Sequence, residues 1–369
     1  MNIGQRNICP HRIDAQGGTE VTPSLPHVPY NIPMLSLSRE SPLWAAYGPT
    51  EDAPPPIIND PALPLVSVVT PSYNQGRYLQ ATIESVLSQS YPNLEYLVID
   101  AGSTDTCLDI LKSYSHEPRM RWLSEPDRGQ SDAINKGWAR SRGHILAWLN
   151  SDDTYLPDAI ACQVRALQAD PVACAVYADA QYTDAAGRPL TRLYGRPYSP
   201  LALLRLEIPP SPTVFLRREL AAKIGPLNIA RRYSMDTDYW MRAARIAPFR
   251  QVHALVATYR LHAESKTVGQ FAGFYREWLA VAESYFADPD VPADLRAARG
   301  PVIADIYAAM ANLEAHGGRP SDALRYLVYA LTLGGPRPRM LKFPLSLAER
   351  LLPLGLAARA SDLWGRVRR

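Results

Sequence analysis

Cysteine is scarce, with four in 369 residues (Cys9, Cys107, Cys162, Cys174) and none in a CxxC pair. That spacing excludes a zinc ribbon or a dithiol redox centre and fits a reducing compartment. Cys107 and Cys162 fall in apolar helical patterns and are expected to be ordinary buried thiols. No apolar run reaches the length of a membrane span, and the opening MNIGQRNICPHR lacks the apolar stretch of a signal peptide. A cytoplasmic protein is therefore expected. Charge of one sign is also lacking: the net value of +3 is too small to argue for nucleic acid as a partner. Two glycine signatures are absent as well, GxxxxGK[ST] and a GxGxxG after the first strand-like run. Their absence argues against a P-loop NTPase and a dinucleotide-binding Rossmann domain.

What is present divides the chain. Up to about residue 62 prolines recur, ending in Pro54-Pro55-Pro56, and they forbid long regular elements. Trp44 and Tyr47 suggest that part of this arm packs on the body. The basic charge is concentrated at the far end, where residues 336–369 hold eight Lys/Arg against two Asp/Glu.

From Leu65 the texture changes. The β-branched run VSVVT ends in Thr70-Pro71-Ser72-Tyr73-Asn74, and a helical pattern follows with Leu79, Ile83, Val86 and Leu87 on one face. The run LEYLVID then ends at Asp100, MRWL leads to Glu125-Pro126-Asp127-Arg128-Gly129, and HILAWL leads to Asn150-Ser151-Asp152-Asp153. Strand starts near 66, 94, 119 and 144 are each about one βαβ unit apart, which implies a parallel sheet covered on both faces. In such sheets ligands bind outside the carboxyl ends of the strands. The polar clusters at Asn74, Asp100, Asp127-Arg128 and Asp152-Asp153 all fall there.

Adjacent carboxylates at the end of a buried strand are hard oxygen ligands, suited to Mg²⁺ or Mn²⁺ that in turn carries phosphate charge. The competing reading is a solvated turn with a helix-capping Asp. Without a glycine cradle, a nucleotide-binding sheet must offset phosphate charge in another way, and a cation at Asp152 and Asp153 would do so.

The residues resemble a known family. VSVVTPSYNQGRYL, LEYLVIDAGSTDTCLDIL and DRGQSDAINKGWARSRGHILAWLNSDDTYLPDAI, followed by YSMDTDYWMRAAR and YRLHAESKT, resemble the successive blocks of the family 2 glycosyltransferases. The likeness covers about residues 64–266. It implies the α/β GT-A fold with a mainly parallel central sheet, here with a Pro-rich N-terminal arm (1–62), a transferase domain (63–268) and an α-helical C-terminal extension (269–369). It also implies an inverting transferase that takes a sugar from a nucleoside diphosphate donor, with Mn²⁺ or Mg²⁺ as cofactor.

On this resemblance Thr70, Pro71, Tyr73 and Asn74 line the nucleotide pocket, largely through their backbone. Asp100 accepts a hydrogen bond from the base, which favours the N3–H of uracil or thymine and hence a UDP- or dTDP-sugar. Gly129 and Ala133 allow helix and nucleotide to approach closely, whereas Asn135 is either structural or part of that block. Asp153 is the main metal ligand, with Asp152 near the ribose or an outer metal water. The sequence departs from the family here, since Asn150 stands where many members carry Asp. Asp236 is the catalytic base, with Asp238 as its rival and with Met235 replacing the usual Glu. Trp240 is either core or a sugar-stacking platform. His262 is either a satisfied loop histidine or a further metal ligand, Arg260 contacts the pyrophosphate, and Ser211 and Thr213 bond acceptor hydroxyls.

Beyond residue 271 the pattern is helical, and IYAAMANLEAHGGRPSDALRYLVYALTLGG reads as a hairpin of two helices joined at Gly317-Gly318. The tail 336–369 mixes Leu, Phe343 and Trp364 with its basic residues. It either lies on an anionic membrane surface or packs on the body with a solvated basic face. The acceptor implied is a glycan or a lipid-linked oligosaccharide in surface polysaccharide synthesis. Two other functions stay open: an inactive GT-A-like scaffold subunit, kept alive by Met235 and Asn150, and a nucleotidyltransferase, weakened by the missing Gly-rich, Arg-containing loop.

Overall fold

The computed structural model describes residues 57–266 and 271–334. The expectations for most of the N-terminal arm, including Cys9, Trp44 and Tyr47, and for the tail 336–369 lie outside these residues. The chain divides into two compact units. One holds residues up to Ser199 together with Glu207–His262, and the other holds Pro200–Leu206 together with the chain from Ala263 onward.

In the first unit the four expected parallel strands form, joined by three helices as three successive βαβ units. Strand β1 (Val66–Ser72) leads to helix α1 (Gly76–Leu87), β2 (Leu94–Asp100) to α2 (Cys107–Ser113), and β3 (Met120–Ser124) to α3 (Gln130–Arg140), before β4 (Ile145–Trp148). These strands pair in the order β3-β2-β1-β4, all parallel. Every residue of β1, β2 and β4 is buried, because helices cover both faces and leave no position for solvent. On one face Val66 and Val68 join Leu79, Ile83 and Val86 of α1 in one core cluster. On the other, α3 lies so close that a Cβ at Gly137 would sit 2.4 Å from a methyl of Val69. A side chain at residue 137 would force helix and strand apart.

The remaining strands make the sheet mixed. β5 (Thr154–Tyr155), α4 (Ala159–Ala169), β6 (Ala175–Thr183) and β7 (Pro189–Leu193) are followed, past the short helix α5 (Pro200–Leu204) of the second unit, by β8 (Phe215–Arg217). Next come α6 (Arg218–Ile224), α7 (Met235–Ala243) and β9 (Phe249–Arg260). β8 joins β4 to β6 with antiparallel pairing on both sides, and β9 runs parallel to β6 and antiparallel to β5. A second, aromatic core forms under α7, where Trp148 and Trp240 stack with ring centres 5.2 Å apart and Trp138, Tyr239 and Phe249 close around them. Cys107 and Cys162 are buried free thiols.

The second unit contains α8 (Phe271–Ala287), α9 (Ala293–Ala297), α10 (Arg299–His316) and α11 (Pro320–Gly334). α10 and α11 form the expected hairpin, and Gly318 between them takes φ 72°, a left-handed backbone that glycine adopts without strain. No helix among the described residues is long and apolar enough to cross a membrane.

Candidate active site at the carboxyl ends of the strands

The apolar run of β4 stops at Trp148, and the chain turns through Asn150-Ser151-Asp152-Asp153 before β5. The two aspartates differ. Asp153 is 1% exposed: its Oδ1 accepts the backbone N–H of Arg260 at 2.9 Å and its Oδ2 accepts the Asn150 amide at 3.2 Å. Asp152 is partly accessible, and its Oδ2 lies 3.0 Å from Nε2 of His262. Burial, reinforced by the charge of Asp152, pushes the Asp153 carboxyl well above the usual carboxylate range. The resemblance gave Asp153 the leading ligand role, but in the structure Asp152 is the partly accessible carboxylate, with the buried His262 imidazole beside it and Asp153 sealed in the turn. Among the described residues no group of three or more such side chains is gathered as a metal cage. A carboxylate oxygen beside an imidazole, backed by a second carboxylate whose charge is unfavourable without a cation, still fits Mn²⁺ better than Mg²⁺.

Asn150 has a physical reason to replace Asp. Its Oδ1 accepts from the Gln130 amide at 2.6 Å while its Nδ2 donates to Asp153. An amide accepts on one side and donates on the other, which an ionised carboxylate cannot do. A carboxylate here would face Asp153 directly.

Arg260 is committed elsewhere than at a pyrophosphate. Its Nε donates to the Asp152 carbonyl at 2.9 Å, and its guanidinium lies 5.0 Å from the Tyr78 ring centre. It clasps the Asp152-Asp153 turn to β9. Tyr78 also packs against the His262 ring at 4.8 Å, so the imidazole is held in place.

Asp236 starts α7 and remains partly accessible. Its Oδ2 accepts from the Ser211 hydroxyl at 2.8 Å and its Oδ1 from the Thr237 N–H at 2.7 Å. Burial raises its pKa despite these donors. Asp238 points elsewhere and pairs with Arg242 at 3.0 Å and with Arg231 at 4.0 Å, the ion-pair role open to a residue two positions along a helix. Ser211 therefore meets the expected base rather than an open acceptor surface. Thr213 is corrected outright: it is fully buried, and its hydroxyl is shared between the Ala178 backbone and the Pro210 carbonyl. Of the two alternatives for Trp240 the structure shows the core one, since it is 0% exposed and stacked on Trp148.

The start of α3 joins these groups. Gln130 bonds Asn150, and the next residue, Ser131, lies 3.2 Å from the sulfur of Met235, the neighbour of Asp236. Asp153, Asn150, Gln130, Ser131, Met235 and Asp236 thus form one unbroken run of neighbours. Met235 is buried at this contact, where the family's Glu would place a charge.

The first three loops differ from expectation in detail. Thr70 and Pro71 are buried positions of β1, and Thr70 Oγ1 accepts from the Tyr96 hydroxyl at 2.9 Å, so their side chains line no pocket. Tyr73 is 59% exposed at the strand end, and Asn74 takes φ 51°. Asp100 is fully buried, and its carboxylate accepts from the N–H groups of Gly102 and Ser103 and from the hydroxyls of Ser103 and Ser124. A base cannot reach it, and its work is to fold the β2–α2 turn. Gly129 caps α3 at φ 110° with open space where a Cβ would be, whereas Ala133 is buried and faces the core. Asn135 is structural, exchanging two hydrogen bonds with the Leu227 backbone.

Comparison with known proteins agrees with this geometry. Residues 67–225 match the family described as glycosyl transferase family 2. The putative teichuronic acid biosynthesis glycosyltransferase TuaG of Bacillus subtilis is 31% identical over 226 residues, 60% of this chain and 88% of that protein. Chondroitin synthase of Escherichia coli is 29% identical over 208 residues, 56% of this chain and 30% of the synthase. The chain spans about a third of the length of that synthase and of the uncharacterised glycosyltransferases of Rickettsia felis and Rickettsia conorii. Among solved structures, the mannosyltransferase PcManGT of Pyrobaculum calidifontis, in complex with GDP-Man and Mn²⁺, superposes with a TM-score of 0.54 at 18% identity. The match covers 89% of this chain and 86% of that one, and the shared fold is that of the GT-A glycosyltransferases. The chain belongs to glycosyltransferase family 2.

Proposed function

We propose that this protein transfers a sugar from a nucleoside diphosphate donor to a hydroxyl of a glycan or lipid-linked acceptor, with inversion at the anomeric carbon. One observation carries the reading: the run of contacts through the start of α3 that ties the Asp152-Asp153 turn to Asp236. A leaving-group site and a proton acceptor are what a direct displacement needs side by side.

In this reading Asp236 accepts the proton of the acceptor hydroxyl at Oδ2 as that oxygen attacks, and Ser211 keeps the carboxylate oriented. A positioned general base is worth about 10²–10⁴-fold. Its raised pKa makes it a stronger base than a solvated Asp. Asp152 and His262 would hold Mn²⁺, with Asp153 behind them, and the ion would stabilise the diphosphate as it leaves. Tyr73 offers an exposed ring on which a base can stack, and Gly129 leaves room beside α3. The relatives' roles in teichuronic acid and chondroitin synthesis suggest a growing polysaccharide as acceptor. The tail 336–369 would bring the enzyme to a membrane-bound acceptor; liposome flotation with and without that segment tests this, and equal flotation refutes it.

The test is turnover of a panel of nucleoside diphosphate sugars with Mn²⁺. Release of the diphosphate by the wild type, lost in Asp236→Asn with binding retained, supports the reading. Binding without turnover by the wild type supports an inactive scaffold subunit instead.

A further inference from the structure

With Asp100 sealed in its turn, the carboxyl end of the sheet still presents one half-buried carboxylate outside the displacement machinery. Asp127 lies in the loop between β3 and α3. Its Oδ1 accepts the N–H of Gly129 at 2.7 Å, and its Oδ2 has no partner among the described residues. Three loops are laced together around it. The Asn74 N–H donates to Ser103 Oγ at 2.8 Å, and Asn74 Oδ1 accepts the Thr104 N–H at 2.9 Å. Ser124 Oγ donates to Asp100 at 2.7 Å, the Glu125 N–H donates to the Asp100 carbonyl at 3.0 Å, and the Cβ position of Gly102 lies 4.0 Å from the nitrogen of Pro126. The exposed ring of Tyr73 and the open side of Gly129 belong to the same rim. Among the described residues no cation forms an ion pair with Asp127: Arg128 pairs with Asp132, and Lys136, whose charge still acts on Asp127 from farther off, pairs with Glu125 and Asp132.

We propose that Asp127 reads the nucleobase of the donor, its free Oδ2 accepting the single imide N–H of uracil or thymine. This rests on the nucleotide-sugar reading above and moves base recognition from Asp100 to Asp127. With Oδ1 held by its own turn, the carboxylate offers one oxygen to a ligand. One acceptor matches an edge with one N–H, whereas guanine presents two parallel donors that need both oxygens. The amino edges of cytosine and adenine set a ring-nitrogen acceptor beside the donor, which a carboxylate repels. Burial raises the Asp127 pKa against the opposing pull of the Gly129 N–H and of Lys136, with small additions from the charges of Asp132 and Asp100.

The test uses the full chain with Mn²⁺ and measures dissociation constants for UDP, dTDP, GDP, CDP, ADP and N3-methyl-UDP by titration calorimetry, for the wild type and Asp127→Asn. Asparagine keeps an oxygen for the Gly129 N–H, so the turn survives, and Asp127→Glu is a second variant that restores the charge. The wild type should prefer UDP and dTDP and bind N3-methyl-UDP roughly 10–100-fold more weakly than UDP, the range for a hydrogen bond to a charged group. Asp127→Asn should lose about that factor for UDP and cease to discriminate against the methylated base, while Asp127→Glu should recover part of it. Equal UDP affinity in the wild type and Asp127→Asn, or a wild type that prefers GDP, CDP or ADP, overturns the assignment and leaves the transferase reading standing. A wild type that binds no nucleoside diphosphate overturns both.

Discussion

Apart from Asp100, which is fully matched within its own turn, the two ends of the parallel sheet treat their carboxylates oppositely. At the amino end Glu95 is 1% exposed but surrounded by donors. It takes the Ser67 hydroxyl, the N–H groups of Arg142 and Gly143, and the guanidinium groups of Arg142 at 3.2 Å and Arg121 at 3.5 Å. At the carboxyl end Asp153 is held by one side-chain donor and Asp236 by two, Ser211 and a longer contact from Thr237, all neutral, plus a single backbone N–H each, and burial pushes both upward. A buried charge that is fully matched serves the fold. One that is left partly unmatched destabilises the fold and keeps capacity for a ligand, a metal or a proton.

Exchanging charge for amide at each end breaks this contrast most visibly. Asp236→Asn should lower turnover by about 10²–10⁴-fold while nucleotide affinity changes little, as read from single-turnover rates and calorimetry. Its stability should respond in the opposite sense. A carboxyl whose folded pKa is raised makes the folded state bind more protons than the unfolded chain between the unfolded and folded pKa values. Asp236 therefore costs the wild type stability once pH exceeds its folded pKa, and the cost vanishes below the unfolded value. Asp236→Asn should thus melt no lower than wild type at neutral pH, and wild-type turnover should fall as pH drops through the folded pKa. Glu95→Gln should behave in reverse. It leaves two arginines without their carboxylate and should cost about 3 kcal/mol in urea unfolding, with activity per folded molecule kept.

Smaller changes sharpen the comparison. Asn150→Asp removes the donor to Asp153 and adds a facing charge, so the metal-free protein should lose about 1–3 kcal/mol, seen as a lower melting temperature. Added Mn²⁺ should restore more of that loss than it adds to wild type. Ser211→Ala and Thr213→Val separate two hydroxyls two residues apart. Ser211→Ala should reduce turnover several-fold by freeing the Asp236 carboxylate, at about 1 kcal/mol or less in stability. Thr213→Val should cost about 1–2 kcal/mol and leave turnover per folded molecule unchanged.

The parallel half of the sheet was legible because strands buried on both faces read as near-continuous apolar runs, and VSVVT, LEYLVID and HILAWL are such runs. The antiparallel half was not. β5 has two residues and β8 three, too short for any periodicity, and they exist only because β9, β4 and β6 pair with them. The carboxylates were legible as a set at strand ends, but their individual surroundings were not. Asp100 and Asp153 look alike in sequence, and only the folded turns reveal that Ser103 and Ser124 close over one while Asp152 stands before the other. Thr213 misled for a related reason: a polar residue near a site does not disclose which way it points. Asp127 was visible among the polar clusters but gained meaning only once Asp100 was found sealed.

The most direct measurement of the central claim is UDP binding by the full chain with and without Mn²⁺, for the wild type and for Asp152→Asn. The account predicts that Mn²⁺ tightens UDP binding to the wild type at least tenfold and that Asp152→Asn loses this increment while keeping metal-free binding. UDP affinity that is indifferent to Mn²⁺, or equally metal-dependent in Asp152→Asn, would contradict it.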